Sequence, residues 1–169
     1  MSYRNKTYVA FASEDIRSYR LMEAWRENQH IDFNFYNAHD LYVSRDTSKP
    51  ETIKANLRER MKNAKQFVLL LSKDARKKGG DGSSFLAYEV QTMLSLALPV
   101  VVANLDGGRT IDRTLIPKPL LDADYYTLSV SFQAKIIQHA LDQYVPAFAG
   151  SAKSGPHYYQ ASVYEQLGL

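Results

Sequence analysis

The stretch that decides the fold is QFVLLLS, at residues 66–72. Its apolar residues follow one another without polar alternation, which is typical of a strand covered on both faces of a parallel sheet. Residues 99–105 (PVVVANL) show the same pattern and predict a second buried strand. Three shorter runs complete a predicted set of five strands: residues 6–11 (KTYVAF), 33–36 (FNFY) and 125–130.

Helical patterns alternate with these strands. Apolar residues recur at helical spacing over residues 16–28, 50–62, 85–94 and 131–144. Ser13 is predicted to be the N-cap of the first helix, with Glu14 and Asp15 favouring its dipole. Residues 77–84 (KKGGDGSS) are predicted to form a loop. The alternation of strands and helices predicts a doubly wound α/β fold.

The domain organisation is predicted to be simple. The 169 residues suit one domain with a sizeable core. We expect residues 1–145 to form that domain and residues 146–169 to form a linker and an aromatic tail packed on it. The tail contains Tyr158, Tyr159 and Tyr164, for which a surface that stacks on bases is the alternative.

Composition excludes several classes of protein. The 21 basic and 18 acidic residues give a net charge of +3 and are scattered, so we expect no nucleic-acid partner. Cysteine is absent, which excludes disulfides and thiolate metal sites. No apolar run is long enough to span a membrane, and a cytoplasmic protein is expected. His39 and Asp40 are the only tight His–acid pair, and without a third ligand they predict no metal site.

The familiar catalytic motifs are absent. The chain has no G-x-G-x-x-G after its first strand, no Walker lysine motif and no G-x-S-x-G elbow. A phosphoacceptor receiver domain would need an acid at the tip of the third predicted strand and a lysine after the fifth. Asp74 lies beyond that tip, and no lysine lies near residues 125–130.

Glu89 is the unusual residue of the third predicted helix. At helical spacing its same-face neighbours are apolar, namely Phe85, Leu86, Met93 and Leu96. An acid on such a face must be paired, neutral or directed into a cavity, because burying a bare carboxylate is costly. The alternative is that the face is misassigned and Glu89 is solvated. Ligands of α/β sheets bind at the carboxyl ends of the strands, where this helix begins.

One carboxylate is enough for one kind of bond cleavage. Breaking a nicotinamide–ribose bond passes through an oxocarbenium-like state, which a nearby carboxylate stabilises electrostatically. The nicotinamide leaving group already carries positive charge, so no strong general acid is required.

The order and spacing of several segments resemble the TIR-like proteins of bacterial Thoeris antiviral defence. These segments are KTYVAFASEDIRSYRLMEAW, FNFYNAHDL followed by SRDTS, FVLLLS, and Tyr88-Glu89. The similarity covers about residues 6–141, and the HYYQASVYEQLGL tail is also typical of that group. Many relatives have a Trp-Val-Arg-Trp-Glu-like stretch where residues 84–89 are SFLAYE, and Tyr42 replaces a typical Asn. These differences bear on which acceptor molecule would receive the ADP-ribose group.

The resemblance implies a TIR fold, a flavodoxin-like three-layer α/β sandwich around a central, mostly parallel five-stranded sheet. It implies NAD⁺ cleavage, with Glu89 as the catalytic glutamate and NAD⁺ as substrate rather than cofactor. The product would be a cyclic ADP-ribose isomer or a conjugate with free histidine, sensed by a partner effector. A phage component would trigger the latent enzyme, which would self-associate through TIR surfaces.

Further substrate-binding residues are predicted at the ends of strands. Phe11, Ala12 and Ser13 end the first strand and are predicted to hold nicotinamide or ribose, with N-capping as the alternative for Ser13. Ser83 and Ser84 are predicted to cap the Glu89 helix, whose N-terminus favours an anion.

The resemblance also implies that the loop at residues 37–48 matches the BB loop of the family. Within it, Arg45 is predicted to meet the pyrophosphate, with a solvated charge as the alternative. Asp46 lies beside it, and Asn37, His39 and Asp40 are predicted to order the loop. Tyr88 is predicted to pack the Glu89 helix or to line the cleft.

Two other functions remain open at the level of sequence. One is a non-catalytic TIR-like adaptor that assembles with partner TIR surfaces. The other is a module that senses a nucleotide without cleaving it. Glu89 discriminates among them, because an adaptor or a sensor tolerates its replacement by glutamine and an enzyme does not.

Overall fold

The central sheet is built around the apolar run at residues 66–72. The computed structural model describes residues 2–31 and 49–169, over which the sheet has five strands, all parallel. They lie side by side in chain order: β1 (Thr7–Ala10), β2 (Gln66–Leu71), β3 (Val100–Asn104), β4 (Thr127–Ser131) and β5 (Pro156–Tyr158). Parallel neighbours require crossover connections, usually helices, since a hairpin cannot join them.

Helices cover both faces of the sheet. In the described part of the chain they are α1 (Ile16–Glu27), α2 (Pro50–Asn63), α3 (Lys73–Gly79), α4 (Phe85–Leu96), α5 (Lys118–Asp122), α6 (Ala134–Phe148) and α7 (Ala161–Gln166). Helices α2 and α4 pack on one face, and α1, α6 and α7 pack on the other. The predicted three-layer α/β architecture is confirmed. None of these helices is long and apolar enough to cross a bilayer.

Strand β2 shows why its sequence lacks alternation. Phe67, Leu69 and Leu71 belong to the core beneath α2 and α4, whereas Val68 and Leu70 belong to the core beneath α1 and α6. All five side chains are buried. Each contributes about 1.5–3 kcal/mol by leaving water. Both faces of this strand therefore select apolar residues.

The fifth described strand is not one that the sequence predicts. Residues 33–36, the predicted second strand, lie outside the described residues. Strand β5 instead comes from the predicted tail, and its Pro156 pairs in register with Thr127 of β4. Proline is tolerated there because β5 lies at the edge of the sheet. Helix α6 also runs through Pro146 to Phe148, into the predicted linker.

Helix α7 is attached to the sheet through Tyr164. This side chain is fully buried, and its hydroxyl accepts a hydrogen bond from the backbone N–H of Ser131 at 3.0 Å. The guanidinium of Arg109 lies 4.4 Å from the centre of the ring. The C-terminal segment is therefore part of the folded core.

We predict that Tyr164→Ala lowers the free energy of unfolding by about 3–5 kcal/mol, because it leaves a cavity and a buried N–H that has lost its acceptor. Tyr158 is the matched control, since it lies in the same segment and is 43% exposed. Tyr158→Ala should change stability by no more than about 0.5 kcal/mol. Urea denaturation measures both, and equal losses would contradict this account of the tail.

Candidate functional site

A cleft lies at the carboxyl end of β1, where the connection that follows β2 meets it. Its volume is about 190 Å³. Its walls come from the end of β1, from α3 and from the first turn of α4. The lining residues are Phe11, Ala12, Ser13, Lys78, Ser83, Ser84, Phe85 and Leu86. The structure thus brings together five of the predicted site residues, because parallel strands end at one edge and the connections that follow them meet there.

Glu89 is not among the lining residues of the cleft and lies one helical turn beyond its wall. It follows Phe85 by four residues and Leu86 by three, so it shares their face of α4. Its side chain is 0% exposed, which excludes the alternative that it is solvated. A carboxylate held in this environment acts on charges more strongly than one in water.

Ser84 sets the start of α4 and thereby the position of Glu89. Its hydroxyl accepts a hydrogen bond from the backbone N–H of Ala87 at 3.0 Å, and it donates to the carbonyl of Lys78 at 2.5 Å. The predicted N-cap at Ser84 is confirmed.

Ser83 does not cap α4, so that part of the prediction is wrong. Its backbone N–H and its hydroxyl both donate to Oδ1 of Asp81, at 3.1 and 2.8 Å. These two hydrogen bonds lower the pKa of the Asp81 carboxyl. Asp81 and Ser83 together form a polar turn just before α4.

Lys78 is the cation among the described residues that line the cleft. Its Nζ lies 2.7 Å from Oε1 of Glu14 and donates to Oγ of Ser13 at 2.9 Å. The hydrogen bond from Lys78 is the main reason that the pKa of Glu14 is lowered. The contact joins the segment after β1 to the end of α3 across the cleft.

These contacts correct two predictions. Residues 77–79 are helical and belong to α3, whereas the sequence predicts a loop from residue 77. Ser13 begins a short 3₁₀ turn, Ser13–Asp15, and α1 begins at Ile16. The Ser13 hydroxyl donates to Glu14 at 3.4 Å and accepts from Lys78, so Ser13 is not the N-cap of α1.

Asp15 joins the same edge to β2. The hydroxyl of Ser72, directly after β2, donates to Oδ2 of Asp15 at 2.5 Å and accepts from the N–H of Ala75, which caps α3. Burial raises the pKa of Asp15. Asp15 and Glu14, the acids predicted to favour the helix dipole, thus contact Ser72 and Lys78 instead.

Tyr88 packs at the interface of α4 and α2. Its ring is partly buried against the core, and Nζ of Lys54 lies 5.5 Å from its centre. Tyr88 is not among the lining residues of the cleft. The structure therefore gives it a packing position.

A larger recess lies at the opposite edge of the sheet. It measures about 490 Å³ and includes Tyr125, Tyr126, Phe148 and Lys153. Tyr125 and Tyr126 directly precede β4, so this recess lies at the amino ends of the strands. Binding sites of α/β sheets lie at the carboxyl ends, which favours the smaller cleft beside Glu89.

The family model described as the Thoeris protein ThsB, TIR-like domain, matches residues 8–110, more than half of the chain. The chain belongs to this family. The protein is therefore a TIR-like protein of Thoeris anti-phage defence. The matched region of this ThsB-family domain runs from β1 past β3 and includes both the cleft and Glu89.

Several predicted residues lie outside the part of the chain that the structure describes. They are Asn37, His39, Asp40, Arg45 and Asp46, and their roles stay predictions. Within the described residues, no group of three or more His, Asp or Glu side chains could hold a metal ion.

Sequence reasoning missed Lys78 in this ThsB-family domain. Lys78 falls within residues 77–84, for which the sequence predicts a loop. The signal that could have found it is helical spacing: the glycines at 79 and 80 end a helix that Ser72 begins.

We predict that Ser84→Ala lowers the free energy of unfolding by about 0.5–2 kcal/mol, because it removes the cap of α4. Ser83→Ala should lower it by less than about 0.5 kcal/mol, since Ser83 is exposed and caps nothing. Urea unfolding of the two variants tests this difference. A loss at Ser83 as large as that at Ser84 would show that both serines hold the helix.

Proposed function

We propose that this ThsB-family domain is an NAD⁺ nucleosidase of the cyclase or transferase type. The observation that carries the proposal is the complete burial of Glu89 one turn beyond a cleft at the carboxyl edge of the sheet. Its membership of the Thoeris family supports the same activity. NAD⁺ serves as substrate, and no resident cofactor takes part.

The reaction breaks the bond between C1′ of the ribose and N1 of nicotinamide. The bonding electron pair leaves with nicotinamide, whose ring loses its positive charge, and positive charge develops on the ribose. The Glu89 carboxylate stabilises that charge from a site that excludes water. An acceptor then donates an electron pair to C1′ and forms the new bond, and a water or histidine acceptor releases a proton to solvent.

The acceptor determines the product. An adenine nitrogen of the same molecule gives a cyclic ADP-ribose isomer, free histidine gives histidine–ADP-ribose, and water gives ADP-ribose. In the first two cases the product is a signal that a partner effector senses. We propose further that a phage component relieves latency and that self-association through TIR surfaces completes the site.

Glu89→Gln should lower kcat by about 10²–10³ or more, the effect of removing a principal electrostatic stabiliser. Because the glutamine amide has nearly the shape and volume of the carboxyl group, the variant should stay folded, which a cooperative thermal unfolding transition checks. Glu165→Gln, at an exposed position on α7, is the matched control and should retain full activity.

The assay is incubation with NAD⁺, with and without free histidine and infected-cell lysate, followed by mass analysis of the products. Nicotinamide release that persists in Glu89→Gln would contradict the assigned role of Glu89. If no condition releases nicotinamide, the chain is an adaptor or a sensor. Calorimetric titration with NAD⁺ separates those two, because only a sensor binds it.

A further inference from the structure

The ammonium of Lys78 lies where it can exchange its contacts with Glu14 and Ser13 for contacts with a ligand in the cleft. The backbone carbonyl of Lys78 accepts a hydrogen bond from the Ser84 hydroxyl, so the main chain is held against the start of α4. Its side chain reaches the cleft, where Glu14 and Ser13 hold the ammonium. The side chains of Lys78 and Glu14 are 34% and 45% exposed. Ion pairs in contact with water to this extent contribute little to stability.

Helix α3 does not need this ion pair to stay in place. Ser72 caps its start. Arg76 donates to the carbonyl of Ile116. A Cβ at Gly79 would lie 2.8 Å from Cγ of Pro117, so the end of the helix packs closely on the segment before α5. The contact between Lys78 and Glu14 is therefore an addition to a helix that is already held.

The position of Lys78 suits the diphosphate of a dinucleotide. In NAD⁺, C4′ and C5′ separate the scissile C1′ region from the diphosphate, a span comparable to one helical turn of about 5.4 Å. With the ribose at Glu89, the diphosphate would lie near Phe85 and Ser84, one turn back along α4. That is the level of the cleft that Lys78 lines.

We propose that Lys78 is the diphosphate-binding cation of the cleft and that Glu14 holds it only until substrate arrives. The inference rests on the proposed function for the identity of the dinucleotide. The ammonium offers three donors to phosphate oxygens. Ser13, released from Lys78, can donate its hydroxyl to the same group. The Glu14 carboxylate competes with the substrate for the same cation.

This competition predicts effects of opposite sign. Lys78→Gln should weaken binding of ADP-ribose about tenfold, because a charge-assisted contact to phosphate is lost. Glu14→Gln should strengthen it by about two- to fivefold, because the competing carboxylate is removed. In the double variant the gain from Glu14→Gln should disappear. Lys78→Arg keeps the charge and should bind within about threefold of the parent.

The experiment is calorimetric titration of ADP-ribose and of nicotinamide riboside, which lacks phosphate, into the full chain in the Glu89→Gln background. Affinity for nicotinamide riboside should not respond to Lys78→Gln. The control pair is Glu59 and Lys62 on α2, which lie at the same separation of 2.7 Å. Their glutamine variants should change affinity less than twofold.

The outcomes separate this proposal from the proposed enzyme activity. Sign-opposed effects on ADP-ribose binding support the role of Lys78 even if no nicotinamide is ever released. Unchanged ADP-ribose affinity in Lys78→Gln overturns it, even if Glu89-dependent cleavage is observed. Equal losses in the Lys78 and Glu14 variants, with matching losses in urea stability, also overturn it, since they indicate a structural ion pair. Failure of the Glu89→Gln parent to bind ADP-ribose also overturns the proposal.

Discussion

The burial of β2 on both faces is the constraint on which the remaining architecture depends. A strand without a solvated face must lie inside a sheet that helices cover on both sides. Its neighbours β1 and β3 are parallel to it, so crossovers must carry the chain back to the starting edge each time. One of these crossovers consists of α3 and α4, which follow β2 directly.

The site follows from that arrangement. Since β2 ends at Leu71 and α4 runs back towards the start of β3, the N-terminus of α4 lies at the carboxyl edge of the sheet. Ser84 sets the first residue of α4, and helical geometry then places Glu89 one turn beyond the cleft wall. A change in the start of α4 would therefore move Glu89 relative to the segment that ends β1.

Sequence reasoning succeeded where a residue type has one physical explanation. The run QFVLLLS is typical of a doubly covered strand, and an acid among Phe85, Leu86 and Met93 had to be buried or its face misassigned. Ser84 was predicted as a cap because a serine before an apolar helix satisfies free N–H groups. In each case the local pattern and the tertiary structure agree.

Sequence reasoning failed where contacts between distant parts of the chain determine the local structure. Strand β5 has three residues, and pairing with β4 rather than intrinsic preference makes it a strand. Ser13 has the chemistry of a cap, but Lys78, 65 residues away in sequence, binds its hydroxyl instead. Lys78 falls in a predicted loop, and only the packing of α3 brings it to the cleft.

The most direct test of the central claim is a crystal structure of Glu89→Gln with NAD⁺ bound. The account predicts the nicotinamide ribose against residue 89 and the diphosphate within hydrogen-bonding distance of Nζ of Lys78, with the contact to Glu14 broken. A dinucleotide bound in the recess at Tyr125 and Phe148, or bound near Glu89 with the contact between Lys78 and Glu14 intact, would contradict it.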